Sequence, residues 1–129
     1  MAYKKRGYSM EGFVKGNIVV INFPFSNNGL KRRPALVLVN LLGDDLILCQ
    51  ITSTKRINSI ELKETDFEKG RLFENSFIRI EKIFTLEKNK VVYKIGTLKK
   101  EKIIEIENLL VKLFTKLKKF YFFVHIKRI

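Results

Sequence analysis

The spacing of short apolar runs constrains the fold of this chain more than any other feature of its sequence. Each run ends near Gly, Asn, Asp or Pro, the residues that favour turns. β-Branched and aromatic residues dominate the early runs, which is typical of strands. The pattern predicts strands over residues 18–23, 35–39, 46–52, 60–63, 76–84 and 91–95.

The hydrophobic period changes near residue 99. Apolar residues recur from there at steps of three or four, which predicts an amphipathic helix over residues 99–119. These residues are Ile103, Ile106, Leu110, Leu113 and Leu117. The aromatic end of the chain, residues 120–126, lacks this period and indicates either an extra strand or an apolar patch that needs a partner.

A series of strands closed by one helix favours a mainly β (α+β) domain. We expect a small β-barrel or strongly bent antiparallel sheet with a C-terminal helix. The length of 129 residues fits one domain. Residues 1–13 lack periodicity and predict a loosely docked N-terminal arm, and residues 64–75 are predicted to be irregular.

The charge balance is the strongest signal in the composition. Lys and Arg number 26 against 13 Asp and Glu, so the formal net charge is +13. Such an excess favours a nucleic acid, an anionic membrane or an acidic protein as partner. Residues 1–33 hold seven cations and one acid, so the anion-facing surface is expected to include the first loop. A lysine-rich proteome is the alternative explanation.

Several classes of function are excluded or disfavoured. One His and one Cys cannot form a zinc cluster, and no glycine-rich phosphate loop is present. Cys49 lies in an apolar run and is predicted to be a buried, inert thiol in a reducing cytoplasm. No apolar stretch is long enough for a membrane helix, and the basic N-terminus has no apolar stretch typical of a signal peptide.

Arg33 and Thr52 stand at positions that an antiparallel hairpin would bring together. Residues 25–33 are predicted to form a loop, and Arg33 stands where this loop enters the second predicted strand, while Thr52 ends the third. Both therefore lie at one end of the sheet, with Lys55 and Arg56 at the same rim. A guanidinium beside a hydroxyl can bind a phosphate and stabilise charge during phosphodiester cleavage. The residues alone favour the simpler interpretation, surface side chains on a basic protein.

Taken in order, three segments resemble the PemK/MazF family of toxins from type II toxin–antitoxin systems. They are residues 16–25 (GNIVVINFPF), 32–38 (RRPALVL) and 50–53 (QITS). The resemblance covers residues 14–117, which leaves the arm 1–13 and an aromatic-basic tail, 118–129, without a counterpart. It implies an SH3-like barrel of bent antiparallel strands with a C-terminal helix, usually a homodimer.

The resemblance also implies an activity and its catalytic residues. The family members are endoribonucleases that need no metal or cofactor and cut single-stranded RNA, often mRNA, at short sequences. Arg33 and Thr52 match the catalytic positions. The implied chemistry is attack by the 2′-OH of the RNA, which leaves a 2′,3′-cyclic phosphate and a 5′-OH.

Further RNA-binding residues and partners follow from the resemblance. The RNA-binding residues are expected to be Phe25, Ser26, Lys31, Arg32, Ser53, Lys55, Arg56 and Lys82. The expected partner is an acidic antitoxin that covers the RNA groove and binds DNA together with the toxin. The loop of residues 25–30 is a candidate lid over the RNA or a docking edge for that antitoxin.

Three departures from the family bear on RNA preference: Asn17 replaces a usual Asp, Lys82 a usual Gln and Phe84 a frequent Arg. Two other functions remain open on the same fold, because fold does not determine function. One is a gyrase-inhibiting protein. The other is a non-catalytic nucleic-acid-binding barrel whose exposed aromatic residues stack on bases.

Overall fold

The computed structural model describes residues 12–23, 31–72 and 74–128, the last twelve of these by backbone alone. This part of the chain forms seven strands followed by one long helix. The elements are β1 Asn17–Phe23, β2 Lys31–Asn40, β3 Asp45–Thr52, β4 Ser59–Leu62, β5 Phe67–Gly70, β6 Ser76–Glu87, β7 Val91–Leu98 and α1 Lys100–Arg128.

The seven strands form one antiparallel sheet with the order β4-β6-β3-β2-β1-β7-β5. Register shifts interrupt the ladders of β1 with β7, β2 with β3, β3 with β6 and β5 with β7. Such irregularities bend strands and increase their twist, and the sheet curls into an SH3-like barrel. The mainly β fold with a C-terminal helix is therefore confirmed.

Both faces of the central strands are buried, which accounts for their continuous apolar sequences. Residues paired in register share a face of the sheet, and the buried side chains divide accordingly. The inner core contains Ile18, Leu36, Cys49, Ile51, Leu62, Phe67, Ile78, Ile80, Leu98 and Ile106. The outer core contains Phe13, Val19, Ile21, Ala35, Val37, Leu46, Leu48, Leu86 and Val91.

Helix α1 closes the inner core through one apolar face. Ile106 is 1% exposed, and Ile103, Leu110 and Leu113 pack around it. Gly16 has a φ of +95°, and a Cβ there would overlap the Ile103 side chain. A glycine is needed at this position because the chain passes close under the helix in a left-handed conformation.

Strand β2 begins earlier than its apolar sequence predicted. Residues 31–33 were assigned to a loop, yet they pair with Phe23, Asn22 and Ile21 of β1. The prediction was wrong because the backbone ladder continues as long as β1 lies beside it, whatever the side chains are. Two of the three cations, Lys31 and Arg33, therefore lie on one face of the sheet, and Arg32 lies on the other.

Two further assignments were wrong. Residues 64–75, predicted to be irregular, contain β5, which pairs with β7 and buries Phe67. Charged neighbours on this short edge strand hid its pattern. The aromatic end does not leave the helix either, since α1 reaches Arg128. No Gly or Pro follows Lys100, and aromatic residues lower helix propensity by only about 0.5 kcal/mol each.

The N-terminal arm of residues 1–13 is only partly described. Phe13 is 3% exposed and belongs to the outer core, so this residue is part of the barrel and not of a loose arm. Residues 1–11 lie outside the described part of the chain, as do residues 24–30, which contain most of the first loop.

The packing of α1 predicts a large difference between two isoleucines of the same helix. Ile106→Ala should lower the free energy of unfolding by about 2–5 kcal/mol because it leaves a cavity in the inner core. Ile104, 46% exposed, is the matched control, and its replacement by Ala should change stability by about 0.5 kcal/mol or less. Urea unfolding measures both, and equal losses would contradict the placement of the helix.

Candidate active site

Arg33 and Thr52 lie on the outer face of the sheet, beyond the outer core. Ala35 of β2 pairs with Gln50 of β3, and the same register extended by two residues places Arg33 opposite Thr52. Side chains directly opposite each other in an antiparallel pair have Cβ atoms about 4.5–5.5 Å apart. The extended register therefore places a guanidinium and a hydroxyl at the same end of the sheet.

The Thr52 hydroxyl is oriented by the turn that follows β3. The backbone N–H of Thr54 donates a hydrogen bond to Thr52 Oγ1 over 3.2 Å. Because one lone pair of this oxygen is occupied, the hydroxyl proton is left to be donated elsewhere. Thr52 is half-buried and Arg33 is exposed, so an anion can reach both from solvent.

Strand β6 adds a second arginine that sequence reasoning missed. Arg79 pairs with Gln50, which puts it on the outer face, one strand away from Thr52. Its Nη2 lies 3.6 Å from Glu81 Oε2, and its Nε is buried without a hydrogen-bond partner. Such an arginine keeps donors available for an anion. The sequence indicated its position only through the alternating pattern of residues 76–80, which predicted that Arg79 lies on a strand.

The loop after β3 holds its cations at the same end of the sheet. Ser53, Lys55 and Arg56 are all exposed. The loop closes on itself, because the Arg56 N–H donates to Ser59 Oγ and the Ser59 hydroxyl donates to the Arg56 carbonyl. These cations form a positively charged rim beside Thr52, at the end of the sheet where the hairpin argument predicted them.

The other predicted RNA-binding residues are distributed differently. Lys31 lies on the outer face, in register with Phe23, whereas Arg32 faces the opposite side together with Asn22. Phe25 and Ser26 lie outside the described residues, and so does the predicted lid of residues 25–30.

A cavity of about 360 Å³ opens on the outer face, on the side of the sheet that carries Arg33 and Thr52. We call it the aromatic cavity; its lining residues are Phe23, Gln50, Arg79, Lys82, Ile83 and Phe84. The two phenylalanine rings meet edge to face, with centroids 5.9 Å apart and an interplanar angle of 82°. Lys82 is exposed, whereas Gln50 and Phe84 are half-buried.

The three departures from the family thus separate into two groups. Lys82 and Phe84 line the aromatic cavity. Asn17 does not line the cavity and is 1% exposed. Its Oδ1 accepts a hydrogen bond from the Val14 N–H over 2.8 Å, and its Nδ2 donates one to Thr97 Oγ1 over 3.2 Å. Asn17 therefore connects the start of β1 to β7, which is a structural function.

Cys49 is buried on the inner face and is chemically inactive. Its thiol donates a hydrogen bond to the Arg79 carbonyl over 2.7 Å. Burial, together with the nearby Glu81 carboxylate, raises the pKa of Cys49 to about 12. The thiol stays protonated near neutral pH and is no nucleophile, as its apolar surroundings predicted.

Within residues 12–23, 31–72 and 74–128, no cluster of His, Cys, Asp or Glu has the size and proximity to hold a metal ion. In the same part of the chain, no helix is both long and apolar enough to cross a membrane. The cations at this end of the sheet, which include Arg33, Arg56 and Arg79, suit a phosphate ligand.

Residues 14–114 match the sequence pattern of the PemK-like, MazF-like toxins of type II toxin–antitoxin systems. The chain belongs to this family. The match covers the barrel and the first half of α1, so this PemK/MazF toxin carries the second half of its helix beyond the matched region. The family resemblance of the three sequence segments is confirmed.

Solved structures share the barrel of this PemK/MazF toxin. A chain of the MazE–MazF complex from Deinococcus radiodurans aligns with a TM-score of 0.63 and 20% identity, over 78% of this chain and 94% of that one. An endoribonuclease in complex with its cognate antitoxin, from a mycobacterial species, aligns with a TM-score of 0.62 and 14% identity, over 80% of this chain and 93% of that one. The Mycobacterium tuberculosis toxin MazF-mt6 aligns with a TM-score of 0.55 and 18% identity, over 74% of this chain and 89% of that one. No curated protein sequence matches the chain.

The environment of Cys49 predicts that the folded toxin resists alkylation. Because the folded-state pKa is about 12 against 9.0 for the free thiol, iodoacetamide at pH 8 should modify the unfolded chain in urea and leave the native chain intact, as measured by mass spectrometry. The stability contributed by the protonated thiol is present below pH 9 and is lost as pH rises toward 12. Rapid native alkylation would contradict this burial.

Proposed function

We propose that this PemK/MazF toxin is a metal-independent endoribonuclease that cleaves single-stranded RNA, such as mRNA, at short sequences. The observation that carries the proposal is the register of β2 with β3, which pairs Ala35 with Gln50 and, extended by two residues, sets Arg33 opposite Thr52 where solvent reaches both. The net charge of +13 supports a polyanionic substrate. The mycobacterial structure described as an endoribonuclease has the same fold.

The proposed reaction needs only groups of the RNA and of this face. The 2′-oxygen attacks the adjacent phosphorus, the bond from phosphorus to the 5′-oxygen breaks, and the products are a 2′,3′-cyclic phosphate and a 5′-OH. Negative charge grows on the non-bridging oxygens. The Arg33 fork donates two hydrogen bonds to them, and the free proton of the Thr52 hydroxyl supplies a third.

Two protons must also move. The 2′-OH loses one, and the leaving 5′-oxygen gains one. Arg33 serves as the acid/base participant: it transfers a guanidinium proton to the leaving 5′-oxygen as the bond from phosphorus breaks, and it regains a proton from solvent afterwards. Glu81, held 3.6 Å from Arg79, is the carboxylate on this side of β6 that can accept the proton of the 2′-OH.

The rim supplies affinity for the RNA backbone. We assign RNA binding to Lys31, Ser53, Lys55, Arg56 and Lys82, which surround the proposed site, with long-range attraction added by Arg32 on the opposite face. Contacts of this kind neutralise phosphates and make binding sensitive to salt. Phe25 and Ser26, in the first loop, remain predicted RNA contacts.

The proposed protein partners are an acidic antitoxin and a second copy of the chain. Two of the similar structures are described as complexes with an antitoxin or with MazE, and a basic toxin face suits an acidic partner. DNA binding is proposed for the complex with the antitoxin. We also propose a cytoplasmic location, where mRNA is found.

The surface proposed for the homodimer is an apolar groove of about 310 Å³ between α1 and the sheet. Its main apolar residues are Leu38, Val39, Ile47, Ile83, Leu110 and Phe114. Phe114 is 58% exposed and Val39 is 40% exposed, so a second copy would remove apolar surface from water.

The catalytic assignment predicts loss of cleavage without loss of fold. Arg33→Ala and Thr52→Val should each lower the rate of cleavage of single-stranded RNA in EDTA by about a hundredfold or more, because each removes a donor to the developing charge. Lys69→Ala, an exposed cation on edge strand β5, is the control and should cleave normally. Mass spectrometry of the product ends should show the cyclic phosphate.

Equal cleavage by Arg33→Ala and the unmodified chain would reject the assignment. The alternative function, a non-catalytic nucleic-acid-binding or gyrase-inhibiting protein on the same fold, would be favoured by growth arrest that depends on gyrase without RNA cleavage. That alternative has no need for the pairing of Arg33 with Thr52.

The apolar groove predicts that one substitution separates the dimer. Phe114→Glu should shift the chain from dimer to monomer in size-exclusion chromatography with light scattering, since a buried carboxylate is costly. Leu42→Glu is the matched control: Leu42 is fully exposed in the turn between β2 and β3, outside the groove, and its variant should stay dimeric. A Phe114→Glu dimer would place the interface elsewhere.

A further inference from the structure

The aromatic cavity is larger than phosphate chemistry requires. Its wall combines two phenylalanine rings with an amide from Gln50, and two cations, Arg79 and Lys82, stand beside them. A flat apolar wall with a few placed polar groups is the construction of a small-ligand site. The phosphate needs only the donors of Arg33, Thr52 and Arg79, so the rings and the amide call for another explanation.

We propose that the aromatic cavity binds one nucleobase of the RNA beside the scissile phosphate. We further infer that it selects a base with a carbonyl oxygen next to a ring N–H, which means guanine or uracil. This inference rests on the proposed function, since it takes RNA to be the ligand, and it gives that function a determinant of sequence preference.

The position of the cavity fits the dimensions of a nucleotide. Gln50 precedes Thr52 by two residues on the same face, which is about 7 Å along a strand. A phosphate held between Arg33 and Thr52 therefore places the attached nucleotide within reach of the cavity. Bases in single-stranded RNA are unstacked and can enter such a cavity.

The aromatic rings provide affinity without selection. Phe23 and Phe84 are half-buried and in mutual contact at 5.9 Å, so each is held in place by the other. Every base has a π-face that can stack on such a ring, and stacking is tolerant of sequence. Phe84 stands where the family often has arginine, and this departure makes the wall aromatic.

The selection comes from the polar lining. The Gln50 amide, which lines the cavity, offers one donor group and one acceptor. When the neighbouring cations hold the carbonyl oxygen of a base, the amide oxygen of Gln50 is left to accept a hydrogen bond from the ring N–H beside that carbonyl.

Arg79 and Lys82 carry donors and no acceptor. A carbonyl oxygen of guanine or uracil accepts from them, as lysine and arginine donate to guanine O6 in known nucleic-acid recognition. The exocyclic amino group of adenine or cytosine, itself a donor, would instead face these two positive charges. The charge of the cavity therefore favours the carbonyl bases.

The test measures binding in the Arg33→Ala chain, so that the RNA stays intact. Fluorescence anisotropy compares short RNA oligonucleotides of equal length in two pairs. The first pair is oligo(U) and oligo(C); the second is oligo(A) and an oligo(A) with inosine at alternate positions. Inosine has the carbonyl and ring N–H of guanine. The preferred member of each pair should bind at least about fivefold tighter, and comparison of the two preferred members separates uracil from the purine.

Two variants locate the preference. Gln50→Leu keeps the size of the side chain and removes the amide, so the ratio of affinities should fall to about one. Lys82→Met removes the charge and should also reduce the ratio. Lys90→Met is the matched control, because Lys90 is exposed in the turn between β6 and β7 and loses the same charge away from the cavity; its ratio should not change.

Equal binding of all four oligonucleotides, or a preference that survives both Gln50→Leu and Lys82→Met, would overturn the inference. If Gln50→Leu fails to fold in a thermal melt, the exposed Lys82→Met variant decides alone. Because this readout needs no cleavage, the two proposals can fail separately. Cleavage by the unmodified chain with base-blind binding rejects only the cavity, and base preference without cleavage rejects only the nuclease.

Discussion

The ladder that holds β2 between β1 and β3 is the constraint on which the rest of the structure depends. It buries Leu36 on the inner face and Ala35 with Val37 on the outer face, so a shift by one residue would exchange two packed cores. Strand β2 continues past the apolar residues, and the β2–β3 register, extended from Ala35 and Gln50, sets Arg33 beside Thr52. The proposed catalytic pair thus stands on strands that backbone hydrogen bonds and packing hold in place, which is the rigid support that a site of this kind needs.

The polar residues of the outer face lie at different depths. Arg33 and Thr52 occupy the open end, where a phosphate can approach. Arg79 is set deeper, with an unused donor, and Cys49 beside it is buried on the other face with its proton retained. In the proposed function, Lys82 and Phe84 of the aromatic cavity would set the RNA preference separately from the phosphate site of Arg33 and Thr52.

The successes and errors of sequence reasoning have a common cause. Strands with alternating or continuous apolar residues were located to within a few positions, because the residues of a buried strand face are apolar and recur with the period of the strand. The extension of β2 to residue 31, edge strand β5 and the end of α1 were missed, because their limits depend on a neighbouring strand or on the absence of a helix-breaking residue. Arg79 was missed as a site residue, since its importance comes from the strand beside it.

The sequence by itself determined a mainly β barrel closed by one helix, a strongly basic protein, and membership of the PemK/MazF family. Those properties follow from local period, composition and motif order, which need no coordinates. Only the tertiary structure decided which cations share a face with Thr52. It also showed that the buried Asn17 side chain connects β1 to β7, and that Phe23, Gln50 and Phe84 line one cavity. These residues come from three strands, and their proximity exists only once the sheet has curled and fixed its register.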